Sequence, residues 1–377
     1  MRRPGAAWLR DAAWQALLLA ALAALVWFMA GNAARNLAAR HIAGGFGFLW
    51  QNAPIPIAET PIPYTPSVDD YARALLVGLL NTLRVSLAGI VLASVIGTLV
   101  GLARLSGNAL ARGIGTVWVE VLRNTPPLLQ LLMWYGALRT LPPPRGAWHL
   151  PGGAVLSNRG LILPVPHWQG AHTAALAMLV AGAVVLAGLA RRRARRGGRS
   201  PLWPAALLLL LGLPLGVWAA LGAPAAWQVP VLRGFNFQGG LTLGPEFAAL
   251  LAGLTVYTSA YIAEIVRAGV LSVPRGQWEA ASALGLHRGQ TLRLVVAPQA
   301  LRVMLPPLAS EFLNLTKNST LAVAIGYQDL MSVAETTLNQ TGQSIETMAI
   351  VMAVFLVLSL GISAAMNRYG LVLARRG

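Results

Sequence analysis

Polar residues are sparse along this chain, and the apolar stretches between them dictate its architecture. Eight stretches reach the roughly twenty residues needed to cross the hydrocarbon core of a bilayer: Ala12–Ala30, Leu75–Ala103, Val117–Leu138, His172–Ala190, Leu202–Leu221, Phe247–Ala268, Val303–Gly326 and Thr347–Met366. They predict an all-α polytopic membrane protein with about eight transmembrane helices. Span seven differs from the rest, because Glu311, Asn314, Lys317 and Asn318 interrupt its apolar run. Span one follows Arg2 and Arg3 and precedes small residues around Ala30–Ala34, as a signal peptide does. Its apolar run of about nineteen residues exceeds the usual seven to fifteen, so it is read as an uncleaved helix.

Composition agrees with a membrane protein. At 56% hydrophobic and 11% charged residues, with a mean hydropathy of +0.61, the chain cannot clothe a soluble globule. A net charge of +17 raises the question of nucleic acid, but the arginines cluster at span ends and not on one face. They report topology. Arg191, Arg192, Arg193, Arg195, Arg196 and Arg199 separate spans four and five, and Arg2, Arg3 and Arg10 precede span one. Eight spans put both groups on one side, which the positive-inside rule makes the cytoplasm. Arg275, Arg288, Arg293, Arg302, Arg368, Arg375 and Arg376 fall on that side too, whereas the outer segment 327–346 holds Asp329, Glu335 and Glu346 with no basic residue. The expected orientation is N-in and C-in. The chain has no cysteine, and its histidines at 41, 149, 167, 172 and 287 lack metal-ligand spacing.

The polar segment between spans six and seven carries a spaced pattern. Glu279-Ala280-Ala281 is followed by three residues, then Gly285, then nine residues, then Val295-Val296-Ala297-Pro298. Pro274 suits a first helical turn, Gln277 to Leu284 are good helix formers, and Gly285 can take the left-handed conformation that ends a helix. Arg288 to Val296 permits a second short helix. Gly285 thus becomes the elbow of a helix-turn-helix at the membrane surface, shaped to seat in a groove of a soluble partner.

This string resembles the EAA loop of ABC importer permeases, with Val295 and Ala297 standing where that family's consensus has isoleucine and leucine. Asn81-Thr82-Leu83-Arg84, Arg123-Asn124-Thr125-Pro126-Pro127, the run from Tyr257 to Gly269 and that from Asn314 to Leu321 are similar to permeases for polar amino acids. The N-terminal helix, the Gly44-Gly45-Phe46-Gly47-Phe48 loop and the extra helix pair resemble the larger permease subunit of general L-amino acid transporters. The resemblance implies a type I importer (MetI-like) core in the bacterial inner membrane. It divides the chain into an N-terminal helix and periplasmic loop, 1–66, and a permease domain, 67–377, with an inserted helix pair at about 172–222 and the coupling loop at about 271–302. It also implies partners: ATP-binding cassette ATPase subunits, a second permease, here favoured to be a different chain, and a periplasmic amino-acid-binding protein. Glu279, Ala280, Ala281, Gly285 and Pro298 become the ATPase-coupling residues. No cofactor is expected on this chain, because its single lysine, Lys317, follows no glycine-rich loop; ATP and magnesium belong to the partner. Residues 44–66 are expected to order against the membrane surface through their aromatics, with the prolines keeping them extended.

A charge at the bilayer centre costs about 2.5–3.5 kcal/mol on insertion scales, so such residues face the bundle interior and mark pathways. At about 100° per residue, Glu311, Asn314, Lys317 and Asn318 share roughly a third of the span-seven circumference. That stripe offers an acceptor for the ammonium of a zwitterion and a donor for its carboxylate, or neutralises neighbouring helices. Glu120 with Arg123, and Glu264 with Arg267, lie three residues apart near the cytoplasmic ends of spans three and six, as interface anchors or gate pairs. An ion-coupled secondary amino acid transporter is the competing class; its mark would be inverted repeats with broken helices at matching positions, and none is evident.

Overall fold

The computed structural model describes residues 6–39, 44–166 and 227–374, with scattered positions between 173 and 219. Predicted spans four and five lie largely outside the described residues. Two compact units are present, residues 1–136 with 246–377, and residues 137–245.

In the first unit, α1 runs Ala6–Ala39 and carries span one. Helix α2, Tyr71–Arg104, is started by Asp70, whose carboxylate accepts the Arg73 amide hydrogen at 2.8 Å. At 34 residues it is about 51 Å long, more than a bilayer crossing requires. Predicted span three is not one helix. It comprises α3, Ala109–Arg123, and α4, Pro127–Arg139. Pro126 and Pro127 have no amide hydrogens to continue the ladder. The carbonyls so released are met by a side chain, as Gln130 Nε2 donates to the oxygens of Leu122 at 2.8 Å and Thr125 at 3.0 Å.

Helix α5, Pro245–Leu271, is span six. It is followed by α6, Arg275–Ala283, and by α7, Ala297–Asn318, which continues as a 3₁₀ stretch to Ile325 and stops at Gly326. Helix α8, Leu330–Thr341, was not expected in the outer segment, and α9, Ser344–Ala374, is span eight. Among the described residues, four helices are long and apolar enough to cross a membrane: Tyr71–Arg104, Pro245–Leu271, Arg288–Ile325 and Ser344–Gly370. On α9, Met352 and Val357 are 72% and 67% exposed, apolar surface that only lipid or a second chain accommodates.

Small residues let α2 and α5 touch. A Cβ on Gly97 would lie 2.7 Å from Ile262 Cβ, and one on Gly101 2.7 Å from the Ala263 carbonyl oxygen. Backbone approach of this kind replaces the hydrophobic effect as the driving force between helices in lipid.

The N-terminal loop packs one face onto the helices, while Phe46 and Trp50 stay exposed. Ala53, Ile55 and Ile57 point inward and Pro54 and Pro56 outward, the two-residue alternation of an extended chain. With Phe48, 1% exposed, these side chains complete an outer core with Tyr71, Leu75, Leu330 and Val333. Burying Phe48 removes its apolar ring from water. Polar clasps hold the loop, with Glu59 pairing with Arg84 at 2.8 Å and the Gly45 amide donating to Glu346 Oε1 at 2.7 Å.

The second unit departs from an all-helical plan. Strands β1 (Trp148–His149), β2 (Val155–Ser157), β3 (Gly160–Leu163) and β8 (Leu241–Leu243) form an antiparallel sheet in the order β1-β2-β3-β8, while β4 (Val165–Pro166) pairs with β5 (Trp227–Gln228), and β6 (Val231–Arg233) with β7 (Asn236–Gln238). Leu161 stands opposite Leu243 and Pro166 opposite Trp227. Residues 166 and 227 therefore lie side by side.

Candidate functional site

The coupling segment begins where α5 ends. Helix α6 closes with the left-handed elbow expected at Gly285, at φ +76°. Leu286 N–H donates to the Ala281 oxygen at 3.1 Å and Gly285 N–H to the Ser282 oxygen at 2.9 Å, which satisfies the last carbonyls of the helix. No atom lies within 4 Å of where a Gly285 Cβ would sit, so it is the backbone angle, and not crowding, that requires glycine. Ala281 is buried, Glu279 and Ala280 are exposed, and Leu284 at the tip is 81% exposed.

Beyond the elbow the structure differs from two separate short helices. His287 caps the next turn, accepting the Gln290 amide hydrogen at Nδ1 (3.4 Å), while Gln290 Oε1 accepts the His287 amide hydrogen (3.2 Å). The turn Arg288–Gln290 passes into a π-helical turn, Thr291–Val296, and then directly into α7. Pro298 explains the π turn: it cannot donate to the preceding turn, and the wider ladder, with Ala297 N–H donating to the Leu292 oxygen, absorbs the mismatch. The turn that follows the elbow and span seven are one continuous helix, Arg288–Ile325.

Inside the unit, Glu311 lies beside Asn314, one turn on, and within electrostatic reach of Arg123. Tyr257 interacts with both charges; its hydroxyl is 3.0 Å from that of Tyr261, and Arg123 lies 5.2 Å over the Tyr261 ring. A carboxylate from α7, a guanidinium from α3 and two phenols from α5 thus converge. Lys317 is exposed and makes no ion pair among the described residues, and Asn318 is half-buried. The stripe is accordingly divided, with Glu311 and Asn314 in the cluster.

Of the two expected ion pairs one forms. Arg267 donates to Glu264 at 2.6 Å, and Arg104 of α2 reaches the same carboxylate, so the pair is a three-residue bridge between helices. Glu120 and Arg123 do not pair. Arg123 leans on Tyr261, and Glu120 lies 3.5 Å from the Asn124 amide nitrogen. Arg104, Tyr257, Tyr261 and Leu284 are participants that sequence reasoning passed over. The tyrosines alone had a signal, a four-residue spacing on the span that also bears Glu264.

A buried helical core, an elbow displaying an apolar tip and a polar cluster within the spans are the frame on which similarity can be judged. Residues 86–370 match the family described as binding-protein-dependent transport system inner membrane component. The chain belongs to that family. The permease is 49% identical over 369 residues to the putative amino-acid ABC transporter permease protein YhdX of Escherichia coli (strain K12), covering 96% of its own length and 93% of that protein. It is 46% identical over 371 residues to the general L-amino acid transport system permease protein AapQ of Rhizobium johnstonii, covering 97% and 92%. A crystal structure of an amino acid ABC transporter with histidines aligns with 80% of the permease and 94% of its own chain, at a TM-score of 0.48 and 22% identity. As an ABC importer permease, this protein is a membrane transport subunit and has the MetI-like fold that its EAA-type loop implied.

Proposed function

We propose that this permease carries L-amino acids into the cytoplasm, receiving them from a periplasmic binding protein and drawing its energy from ATPase subunits on separate chains. The observation that carries the reading is the elbow. A left-handed Gly285 presents Leu284 to solvent three residues before the start of a helix, Arg288–Ile325, that runs without a break through span seven. Leu284 would enter an apolar groove of the ATPase, with Glu279 at the rim. When ATP binding closes the ATPase pair, the elbow moves and α7 moves with it, shifting the pathway from inward-facing to outward-facing; hydrolysis and release reset it. ATP and magnesium are held by the partner. The amino acid specificity is supported by the names of the relatives, a general L-amino acid permease among them.

The substrate pathway runs past Arg123, Tyr257, Tyr261, Glu311 and Asn314. Arg123 suits a carboxylate and Glu311 an ammonium, the two ends of an amino acid. The chain has both termini in the cytoplasm, a reading supported by the arginine distribution. A second permease of different sequence completes the pathway and covers part of the exposed apolar surface. The family assignment takes the place of the ion-coupled alternative. Reconstitution with the ATPase and binding protein tests the whole reading: ATP hydrolysis and uptake should both rise when loaded binding protein is added. Uptake driven by an ion gradient without ATP would refute it.

A further inference from the structure

At the cytoplasmic end of α7 and α9 a groove of about 550 Å³ opens on the surface of the helix bundle. One wall is a single face of α7, Arg302, Leu305, Pro306 and Ala309, at the three- and four-residue spacing that stacks side chains along a helix. The other wall is α9, where Met366 continues the apolar floor and Gly370 supplies the width. A Cβ on Gly370 would already lie 3.8 Å from Leu305 Cδ1, so any longer side chain there enters the groove.

Arg302 begins the α7 wall one turn before Leu305, Asn367 lies on the α9 wall between Met366 and Gly370 with Arg368 next in the chain, and no acidic residue lines the groove among the described residues. Tyr369, 51% exposed, is beside them, the kind of amphipathic ring that settles at headgroup depth. A largely apolar slot that begins at a guanidinium has the chemical polarity of a phospholipid, phosphate at one end and acyl chain along the rest. We infer that this groove is a binding site for an anionic phospholipid of the inner leaflet, its phosphate held by Arg302 and its acyl chain lying on Leu305, Ala309 and Met366. A zwitterionic lipid fits the slot but brings an ammonium toward the arginine. A juxtamembrane arginine favours acidic headgroups by a factor of about five, equivalent to about 1 kcal/mol.

The inference rests on the reading that the α7 start and α9 end face the cytoplasm, but lipid retention is measured without transport, so the two fail separately. The assembled complex is placed in nanodiscs of equal phosphatidylglycerol and phosphatidylethanolamine, and the lipids retained on detergent extraction are quantified by mass spectrometry. Wild type should retain phosphatidylglycerol over phosphatidylethanolamine by about fivefold. Arg302→Gln, which removes the charge, and Gly370→Leu, which fills the slot, should each bring the ratio close to one. Arg112→Gln, removing an arginine from α3 outside the groove, should leave it unchanged. Intact co-purification of the complex establishes that each variant has folded, and the assay is confined to those that have. Inorganic phosphate at millimolar concentration should not lower retention, since the acyl chain contributes to binding; displacement by phosphate would mean an anion site without lipid and would overturn the proposal. Equal ratios in wild type and both groove variants would overturn it as well, as would a groove closed to lipid by the second permease, seen as cross-linking of a cysteine placed at Ala309 to that subunit.

Discussion

The left-handed backbone of Gly285 is the most exposed point of the coupling argument. With φ at +76° and open space around the missing Cβ, substitution there changes the backbone preference and little else. An L-residue costs about 1–2 kcal/mol in this conformation, and a β-branched one more. At 1.4 kcal/mol for each factor of ten, Gly285→Val should reduce the population of the native elbow by about tenfold or more. Asparagine tolerates the left-handed region, so Gly285→Asn should stay near wild type, with Gly285→Ala between the two. Uptake in proteoliposomes with ATPase and binding protein gives the ranking Gly, Asn, Ala, Val, while co-purification of the membrane subunits should not change. Equal uptake by the valine variant, or an asparagine variant as impaired as valine, would mean that the elbow geometry does not transmit the ATPase motion.

Three further outcomes are expected. Leu284→Asp, at an exposed tip, should leave the thermal stability of the permease within about 0.5 kcal/mol of wild type yet weaken ATPase co-purification by tenfold or so; unchanged ATPase recovery would remove Leu284 from the interface. Arg123→Gln and Glu311→Gln should each lower uptake with assembly intact, and combining them should give no recovery if both contact substrate; a double variant more active than either single one would make them a mutually neutralising pair. Burial pushes the Asp329 carboxyl, between α7 and α8, up from 3.8 to about 7, opposed by the Ser332 amide hydrogen. Because its folded pKa lies above the unfolded one, its stabilising contribution is full below about 3.8 and is lost as pH rises toward 7. Hydrogen exchange at the start of α8, corrected for intrinsic rates, should therefore show protection falling over that window, and Asp329→Asn should flatten the profile; an unchanged profile in that variant would reassign the dependence.

Much of this architecture was written locally. Long apolar runs marked α2, α5, span seven and α9, and the elbow followed from helix formers ending at Gly285. What sequence did not reveal depended on distant partners. Gln130 reads as an ordinary polar residue of span three, and only the carbonyls of Leu122 and Thr125 give it a task. Arg123 lies one helical turn from Glu120, the nearest charge in sequence, yet aromatic rings on α5 and the carboxylate on α7 provide the stronger surroundings. Strands of two to four residues carry too little period to be recognised, and the pairing of β3 with β8 spans nearly eighty positions. The continuity of the turn at Arg288 with α7 was hidden by Pro298, which reads as a stop when taken alone and is accommodated by the π turn.

The pairing of Pro166 with Trp227 has a consequence for how such a chain can be assembled. Two residues that face each other across antiparallel strands need only a tight turn to join them, and the sixty residues between occupy the place of that turn. In genetic terms the segment is a cassette. Residues 167–226 should be excisable and the gap closed by Asn-Gly, which favours the turn that fits the strand twist. The product would be a shorter permease with the same elbow, the same polar cluster and the same sheet. Insertions at such a point can lengthen, shorten or vanish between related chains without disturbing the register on either side, because both ends of the graft are fixed to one another before the graft begins.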